Sequence, residues 1–322
     1  MSQLTAVRTA SRTVAGTQWW HLTLLPGGFD VADGIVGALV TPLVAQARAL
    51  GAKRWYFTRT EDPATGRNAL VHLHIEAHPR VLERLKTLQR SLQERTTMVF
   101  PQLLVQQHYS SSVRDGFLPR LDHPDAHLEA NLVKYGGVEG LDLAEEVFEL
   151  SSELSLWAGQ RFPKMQSRSA LGALILFDSA HSMMRGPHSA SRPDRRRLTW
   201  DLYWDAHLRT CTAEVGPRAA AVGEAMTLQV AAKTTGFHAR MAATAAESEV
   251  RNWRRRWFRA LDSYLYRANK VHVGRSAQHL TVHHAHMTIN RLGFVPREEA
   301  ALGLFARTWQ QEPATAGARS GV

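Results

Sequence analysis

The order of apolar runs in the first third of the chain restricts the possible folds more than any other feature of the sequence. Short apolar or aromatic runs, which predict strands, occupy residues 19–25, 54–60, 70–77 and 98–109. Helical spacing of apolar residues predicts one helix over 30–50 and a second that starts at Pro79. The resulting order, β-α-β-β-α-β, is typical of a ferredoxin-like unit, in which an antiparallel sheet carries its helices on one face.

The rest of the chain has the apolar periodicity of helices. A break at Tyr135-Gly136-Gly137 precedes one helix, and further helices are predicted at 167–184, 200–210, 218–232, 247–270, 279–293 and 297–309. The sequence therefore predicts an α+β fold, with a sheet half over 17–125, a mainly helical half over 126–310 and a cleft between them. Residues 1–16 and 311–322 are small and polar, which indicates a mobile arm and a disordered tail.

Composition narrows the class of protein. The 322 residues include one cysteine, Cys211, from which we predict neither an internal disulfide nor a cysteine-based zinc site. No apolar run is long enough to cross a bilayer and the N-terminus has no signal-peptide core, so we expect a cytoplasmic protein without a membrane partner. The formal net charge of +10 favours anionic partners, although an arginine-using, GC-rich genome would give the same balance.

Several common activities lack their motifs in this chain. It contains no Gly-rich phosphate loop, nucleophile elbow or dinucleotide fingerprint, which argues against NTP or nicotinamide chemistry. A basic segment with Trp253 and Trp257 has a composition that can grip RNA, but no nucleic-acid module surrounds it and amphipathic packing explains the aromatic residues equally well. We therefore expect no cofactor and no nucleic-acid partner.

The segment 279–293 concentrates side chains capable of acid/base chemistry on one predicted helix. The polar side chains that share one face by helical spacing are His279, His283, His286 and Asn290. His284 and Arg291 lie on an adjoining face. Imidazole can transfer protons near neutral pH, a guanidinium can hold an anion and an amide can orient a carbonyl. The stripe indicates a reactive or binding surface, although any single histidine in it is equally well explained as a structural polar residue.

A second polar face is predicted on the strand at 70–77, where His72, His74 and Glu76 share one side by the period of two. Arg59 on the preceding strand is expected close to them. His-x-His on a strand, with a further histidine from a helix, can build a zinc or iron site. No second-ligand spacing such as His-Glu-x-x-His occurs in the chain. We interpret the face as a polar surface or substrate groove and expect no metal.

Three groups of motifs, taken in order along the chain, resemble one known family. They are Trp20 with Trp55-Tyr56-Phe57-Thr58-Arg59 and Leu70-Val71-His72-Leu73-His74; Glu129 with Lys134-Tyr135-Gly136-Gly137, Ala144-Glu145-Glu146-Val147-Phe148 and Ser151-Ser152; and His286-Met287-Thr288-Ile289-Asn290-Arg291-Leu292-Gly293 with Glu298 or Glu299. Together they span residues 17–310. The chain resembles the thiopeptide-type bacteriocin biosynthesis domain, the small C-terminal elimination domain of lantibiotic dehydratases.

The resemblance implies one of two reactions on a leader-bearing precursor peptide. Elimination enzymes of the family remove glutamate from glutamylated Ser or Thr and leave dehydroalanine or dehydrobutyrine. Pyridine synthases of thiopeptide pathways use a related fold. They join two dehydroalanines in a formal 4+2 cycloaddition, close a macrocycle and expel water and the leader peptide. Both occur as stand-alone proteins, and we expect the same of this chain.

One departure from the family pattern favours the second reaction. Elimination enzymes typically carry a His-Leu-Arg-Leu-Arg strand, whose guanidiniums suit a glutamyl carboxylate. Here the strand is His72-Leu73-His74-Ile75-Glu76. Since Glu76 would repel a glutamyl substrate, we favour a pyridine synthase. Glutamate elimination and a non-catalytic leader-binding scaffold remain the alternatives.

The resemblance and the chemistry together imply a set of site residues. His286 is the first choice for the group that exchanges protons with the amide in its iminol form. Arg59 is expected to stabilise charge on oxygen, Tyr135 to position the amide, and His74 or His284 to assist the loss of water and leader. The side chains expected to contact the substrate are Asn290, Arg291, His72, Glu129 and Glu76. The implied partners are a peptide with an acidic leader and a dehydroamino-acid core, and other enzymes of the pathway.

Overall fold

The structure is a computed structural model that describes residues 16–61, 69–111, 126–188 and 198–309. The predicted N-terminal arm, apart from Gly16, and the predicted C-terminal tail lie outside these ranges. Within them, no helix combines the length and the apolar character needed to cross a membrane.

One antiparallel sheet forms the N-terminal half of the described chain. Its strands are β1 (Gln18–Leu25), β2 (Arg54–Glu61), β3 (Ala69–Ala77) and β4 (Leu104–Ser111). They lie in the order β2-β3-β1-β4, and all three pairings are antiparallel. The central strands are therefore β1 and β3, as in a ferredoxin-like unit. The predicted α+β class and the predicted sheet are confirmed.

The helices of the sheet half cover the face of the sheet toward which Trp20, Leu22 and Leu24 of β1 point. The helices are α1 (Phe29–Ile35), which continues through a π-helical stretch (Val36–Val40) into α2 (Thr41–Ala49), and α3 (Pro79–Val99). Pro79 starts α3 at a position where its missing N–H costs no hydrogen bond. Apolar side chains of both layers form one core.

In the helical half, a sharp break at two glycines separates the first helix from the second. Its helices are α4 (Ala126–Tyr135), α5 (Val138–Arg161), α6 (Met165–Arg185), α7 (Trp200–Thr212), α8 (Ala219–Ala231), α9 (Thr234–Ala246), α10 (Ser248–Lys270), α11 (Ala277–Arg291) and α12 (Pro296–Arg307). Gly136 and Gly137 have φ angles of 77° and 102°, a region that glycine adopts without steric cost. The predicted break between α4 and α5 is confirmed.

Two element predictions are wrong. The strand expected over 98–109 is shorter, because α3 continues to Val99 and a turn at Pro101 precedes β4. Proline disfavours a helical conformation in the residue before it, which ends α3 there. The second difference is α9, which the sequence analysis did not assign. Only Phe237 and Met241 of this helix are buried, so its apolar stripe is too sparse to mark a helix.

The second face of the sheet packs on the helical half. Trp19 and Tyr56 belong to the core of the helical half, not to that of the sheet half. The edge strand β2 makes the direct connection. The Phe57 N–H donates to Ser152 Oγ of α5 at 3.1 Å, and the Phe57 carbonyl accepts from Arg291 Nε of α11. Because an open sheet edge leaves backbone groups without partners, these side chains complete the edge of β2.

Arg59 does not lie beside His72 and His74, as the sequence predicted. The alternation of side chains along β2 places it on the opposite face of the sheet, where its Nη2 pairs with Asp33 Oδ1 at 2.6 Å. Arg168 of α6 donates to the other oxygen of Asp33 and to the backbone that follows α11. Arg59 and Arg168 are 7% and 2% exposed. One carboxylate is thus shared by two buried guanidiniums where α1, β2 and α6 meet.

Replacing Asp33 by Asn would leave both guanidiniums buried without a counter-charge. We expect the free energy of unfolding to fall by about 3 kcal/mol, because an uncompensated buried charge is costly. Urea denaturation would measure the change. The matched control is Asp205→Asn, whose carboxylate pairs with Arg307 at 2.7 Å but is 44% exposed, and for which we expect less than about 1 kcal/mol. Equal losses in the two variants would contradict this role of Asp33.

Candidate active site

A polar cavity of ≈ 120 Å³ separates the sheet from the helical half. Its floor is the second face of the sheet, and its opposite wall is formed by α4 and α11. The residues that line it are His21, Leu22, Thr23, Thr58, Thr60, His72, His74, His108, Asn131, Lys134 and Met287. The cavity lies where the sequence predicted a cleft, and histidine is the prevailing side chain in its lining.

The histidines on the floor hold one another in fixed orientations. His21 Nδ1 and His74 Nδ1 lie 2.7 Å apart, so one ring donates a hydrogen bond and the other accepts it. His21 also stacks on His108, with ring centroids 4.6 Å apart. Both ring nitrogens of His72 contact threonine hydroxyls of β1 and β2, at 3.1 and 3.2 Å. The rings are therefore oriented without help from a ligand.

The predicted polar stripe lies on α11, the helix that forms part of the cavity wall. Met287 lines the cavity from this helix. The stripe residues that are partly exposed on the same helix are His279, His283, His286 and Asn290. His279 Nε2 lies 3.0 Å from the Lys134 carbonyl oxygen, which joins α11 to α4. The helix that carries the stripe therefore also contributes Met287 to the cavity lining, opposite the histidines of the sheet.

The buried carboxylate of Glu299 on α12 orients the central histidine of this stripe. Glu299 Oε2 lies 2.6 Å from His286 Nδ1, and Oε1 lies 3.1 Å from His207 Nε2 of α7. Glu299 is 0% exposed. The other ring nitrogen of His286 contacts Asn290 Nδ2 at 3.2 Å. Both nitrogens of His286 are therefore held.

Neighbouring groups move the pKa values of adjacent histidines in opposite directions. Burial lowers the pKa of His283 to about 3, and the nearby His279 contributes. Burial also acts to lower the pKa of His286, but the Glu299 carboxylate outweighs it and raises that pKa. Burial acts to raise the pKa of Glu299, yet its two histidine partners lower it to about 2. Two imidazoles one turn apart whose pKa values are shifted in opposite directions are suited to divide proton acceptance and donation between them.

Tyr135, His284 and Arg291, all predicted site residues, meet in a buried cluster next to the cavity. Each is 1% exposed. His284 and Tyr135 have ring centroids 5.1 Å apart, and the Arg291 Cζ lies 5.1 Å from the centroid of Phe148. Tyr135 Oη, His284 Nε2 and both Nη atoms of Arg291 have no hydrogen-bond partner among the described residues. Burial lowers the pKa of Arg291 to about 10 and raises the pKa of Tyr135.

Aromatic contacts connect this cluster with the cavity. Tyr56 stacks on His74 with centroids 4.6 Å apart and meets Phe148 edge-on at 5.3 Å. Phe148 in turn contacts Tyr135 at 5.1 Å. A buried polar atom without a partner costs about 1–3 kcal/mol, and proteins retain such costs mainly where function requires them. The cluster is therefore a candidate positioning layer behind His74.

Three predicted site residues do not join this arrangement. Glu76 lies at the end of β3, where its carboxylate bonds Lys53 Nζ and Thr17 Oγ1, and it does not line the cavity. Its charge is neutralised, so the argument that it repels a glutamyl substrate is not supported. Arg59 lies on the opposite face of the sheet. Glu129 belongs to α4, but its side chain falls outside the described part of the chain.

The sequence analysis missed several residues of this site. His21 alternates with the apolar Trp20 and Leu22, so the period of two that identified the other strand histidines would also have placed it on the polar face. The pairing of Glu299 with His207, which are separated by 92 residues, has no signal in the sequence. Periodicity within one helix or strand predicts which residues share a face. Which faces contact each other is seen only in the tertiary structure.

A larger and more open groove of ≈ 480 Å³ lies between α2, α5 and α10. Trp157 and Trp253 line it with ring centroids 5.8 Å apart. Its Arg48 and Arg256 both pair with Glu153, at 3.3 and 2.9 Å. Its lining within the described ranges includes no histidine. The smaller cavity, with its hydrogen-bonded histidines and the buried polar cluster beside it, is the better candidate for chemistry.

The unpaired hydroxyl of Tyr135 leads to a stability prediction. Tyr135→Phe should raise the free energy of unfolding by about 1 kcal/mol, because it removes a buried polar group that gains no hydrogen bond. Thr281→Val is the control on α11, since Thr281 is 0% exposed and its Oγ1 likewise finds no partner in the described chain. Urea unfolding of both variants should show similar gains. A lower free energy of unfolding in the Tyr135 variant alone would contradict the prediction, because it would mean that the hydroxyl makes a stabilising hydrogen bond.

The fold occurs in solved structures of low sequence identity. The tRNA-dependent lantibiotic dehydratase MibB from Microbispora sp. 107891 is 18% identical with a TM-score of 0.51, and the match covers 93% of this chain but 28% of that one. TsrL is 15% identical with a TM-score of 0.61, over 91% and 94% of the two chains. The pyridine synthase TbtD from thiomuracin biosynthesis is 16% identical with a TM-score of 0.56, over 90% and 96%. At these identities the likeness concerns the fold alone.

A family model covers nearly the whole described chain. The model is that of the lantibiotic biosynthesis dehydratase C-terminal family, and it matches residues 19–309. No curated protein sequence matches the chain. The matched residues include all strands of the sheet apart from Gln18, and every helix of the helical half. The chain belongs to the lantibiotic biosynthesis dehydratase C-terminal family.

Proposed function

We propose that the chain joins two dehydroalanines of a leader-bearing thiopeptide precursor into a pyridine by a formal 4+2 cycloaddition, with loss of water and leader. The observation that carries the proposal is the cavity of hydrogen-bonded histidines between the sheet and α11, backed by a buried polar cluster. Membership of a peptide-antibiotic biosynthesis family supports a peptide substrate. The net charge of +10 suits capture of an acidic leader.

The size of the cavity fits the product ring. An apolar cavity of about 150 Å³ holds one benzene molecule. The ≈ 120 Å³ between the sheet and α11 is therefore close to the volume of one six-membered ring. A cavity of this size would confine the two reacting alkenes of one peptide, and such confinement supplies much of the acceleration in an intramolecular reaction.

The charge of the cavity favours cycloaddition over glutamate elimination. Among the described residues that line it, Lys134 carries the only fixed charge. Proteins commonly grip a carboxylate with guanidinium forks, yet Arg59 and Arg291 lie outside the lining. A peptide with two dehydroalanines brings no carboxylate to this point.

The first chemical step requires a proton to move from the nitrogen to the oxygen of one amide, which gives the iminol form. A hydrogen-bonded pair of imidazoles can accept a proton at one atom and return it at another. The pair formed by His21 and His74 fits this task, since both rings line the cavity and their Nδ1 atoms are 2.7 Å apart. The iminol and the second alkene then form two carbon–carbon bonds and close the ring.

Two eliminations convert that ring into a pyridine. Water leaves from the carbon that carries the iminol hydroxyl, and the leader leaves as a carboxamide. In each step a base takes a proton from the ring and the leaving group receives one, so no oxidant is consumed. His283 and His286, one turn apart on α11 beside Met287, are our assignments for the acceptor and the donor. The buried Arg291, Tyr135 and His284 act as positioning residues behind them.

Two peptides distinguish the candidate reactions. One carries a leader and paired dehydroalanines, and the other carries a leader and glutamylated Ser or Thr. Mass spectrometry after incubation with the full chain should show release of the leader and a new pyridine chromophore from the first peptide only. Loss of glutamate from the second would identify glutamate elimination, the second candidate, which the dehydratase family description favours. Leader binding without a change in the mass of either peptide would indicate a non-catalytic leader-binding scaffold.

Variants locate the reaction in the cavity. His74→Ala should lower turnover by at least about 100-fold while leaving leader binding intact, because it removes one partner of the proton-transferring pair. His238→Ala is the control, since this partly exposed histidine contacts the Phe305 carbonyl on α12 and does not line the cavity. Thermal unfolding of both variants checks that the fold persists. Unchanged turnover in a folded His74→Ala variant would remove the histidine pair from the mechanism.

A further inference from the structure

A second cluster of reactive side chains lies outside the cavity, between α7 and α12. His207 and Cys211 are one turn apart on the same face of α7, and Glu299 of α12 faces them. They are 1%, 7% and 0% exposed. The proposed mechanism uses neither His207 nor Cys211. The role of this buried cluster is therefore separate from the proposed reaction.

The ligand atoms of these residues converge on one point. His207 Nε2 lies 3.1 Å from Glu299 Oε1 and 3.7 Å from Cys211 Sγ. All three atoms lie within 4.8 Å of one another. Tetrahedral zinc, with bonds of about 2.0–2.3 Å, sets its ligand atoms roughly 3.3–3.7 Å apart. The observed separations match that geometry with small adjustments.

The surroundings of the cluster resemble those of a metal site. Glu299 Oε2, the oxygen that faces away from the cluster, accepts a hydrogen bond from His286, and protein metal sites typically hold their carboxylate ligands in this way. Tyr203 is 0% exposed, and its Oη has no hydrogen-bond partner in the part of the chain that is described. Tyr203 lies one turn before His207 on α7, so its side chain is on the same face of that helix as His207 and Cys211.

The expectation that a single cysteine excludes a cysteine-based zinc site is too strict. It holds for sites built from several cysteines, whereas one thiolate with one imidazole and one carboxylate also makes a three-ligand set. The mixture of sulfur, nitrogen and oxygen donors favours zinc over magnesium or calcium, which prefer oxygen alone.

We propose that His207, Cys211 and Glu299 bind a zinc ion that joins α7 to α12, with a water molecule near Tyr203 as the fourth ligand. Binding would displace the thiol proton of Cys211, as zinc does at other thiolate sites. Glu299 would then link the ion to His286 on α11. The site would fix α12, and with it the orientation of His286, without taking part in the reaction.

The test uses the full chain, stripped with a chelator and then titrated with cobalt(II) and with zinc. Cobalt should give the intense near-ultraviolet band of thiolate-to-metal charge transfer, because Cys211 is the only thiol in the sequence. Elemental analysis after dialysis against zinc should find a single ion per chain, and zinc should raise the melting temperature. Absence of the charge-transfer band in the folded wild-type chain would overturn the proposal, whatever the variants do.

Two variants separate this site from other histidines. Cys211→Ser should abolish the cobalt band and weaken zinc retention by more than about 100-fold, since loss of an outer-sphere partner alone costs 10- to 100-fold. His279→Ala is the control, because His279 and His283 form a partly exposed histidine pair outside the cluster, with ring centroids 4.3 Å apart. The control should keep its zinc. Equal zinc retention in Cys211→Ser and the wild type, or zinc loss in His279→Ala alone, would place the ion elsewhere and contradict the proposal.

Discussion

The backbone of Phe57 is the point on which the arrangement of the site depends. Phe57 lies on β2, the edge strand of the sheet, and its N–H and carbonyl have no neighbouring strand on that side. Ser152 of α5 and Arg291 of α11 supply the missing partners. A sheet edge that is not satisfied in this way is open to pairing with other chains. The same hydrogen bonds therefore protect the edge and fix α11 against the sheet.

The cavity follows from that attachment. Met287 lies one turn before Arg291 on α11, so the bond to Phe57 also sets the distance between Met287 and the histidines of the sheet. The floor keeps its polar residues because apolar side chains of the same strands point to the other core. Polar and apolar side chains alternate along the strands, and hydrogen bonds at the edge of β2 fix α11 against the sheet. Together these two features leave a histidine-lined space between two apolar cores.

Buried charged side chains connect the sheet half with the helical half. Burying them costs desolvation free energy, which apolar packing would avoid. Asp33 is shared by Arg59 and Arg168, and Arg291 lies over the ring of Phe148 with both Nη atoms unpaired among the described residues. Replacing buried ion pairs by apolar residues is often neutral or stabilising. Their presence here is consistent with a requirement for one defined orientation of α11 against the sheet, which the chemistry of the cavity would need.

The sequence predicted those features that depend on local periodicity. The order of strands and helices, the break at Tyr135 and the polar stripe that contains His286 all follow from spacing along one element. The prediction that Arg59 lies beside His72 and His74 was wrong. Side chains alternate along β2, so residue 59 points to the face opposite the polar residues of that strand. The neutralisation of Glu76 by Lys53 and the bridging role of Glu299 depend on long-range contacts. Such contacts leave no trace in the spacing of a single sequence.

The central claim is that the peptide reacts in the cavity between the sheet and α11. The most direct measurement is photo-crosslinking with a leader-bearing peptide that carries a diazirine residue in place of one dehydroalanine, followed by mapping of the labelled tryptic fragments. The account predicts labels on β2, on α4 near Asn131 and on α11 near Met287, all of which border the cavity. Labels confined to the groove around Trp157 and Trp253 would contradict it.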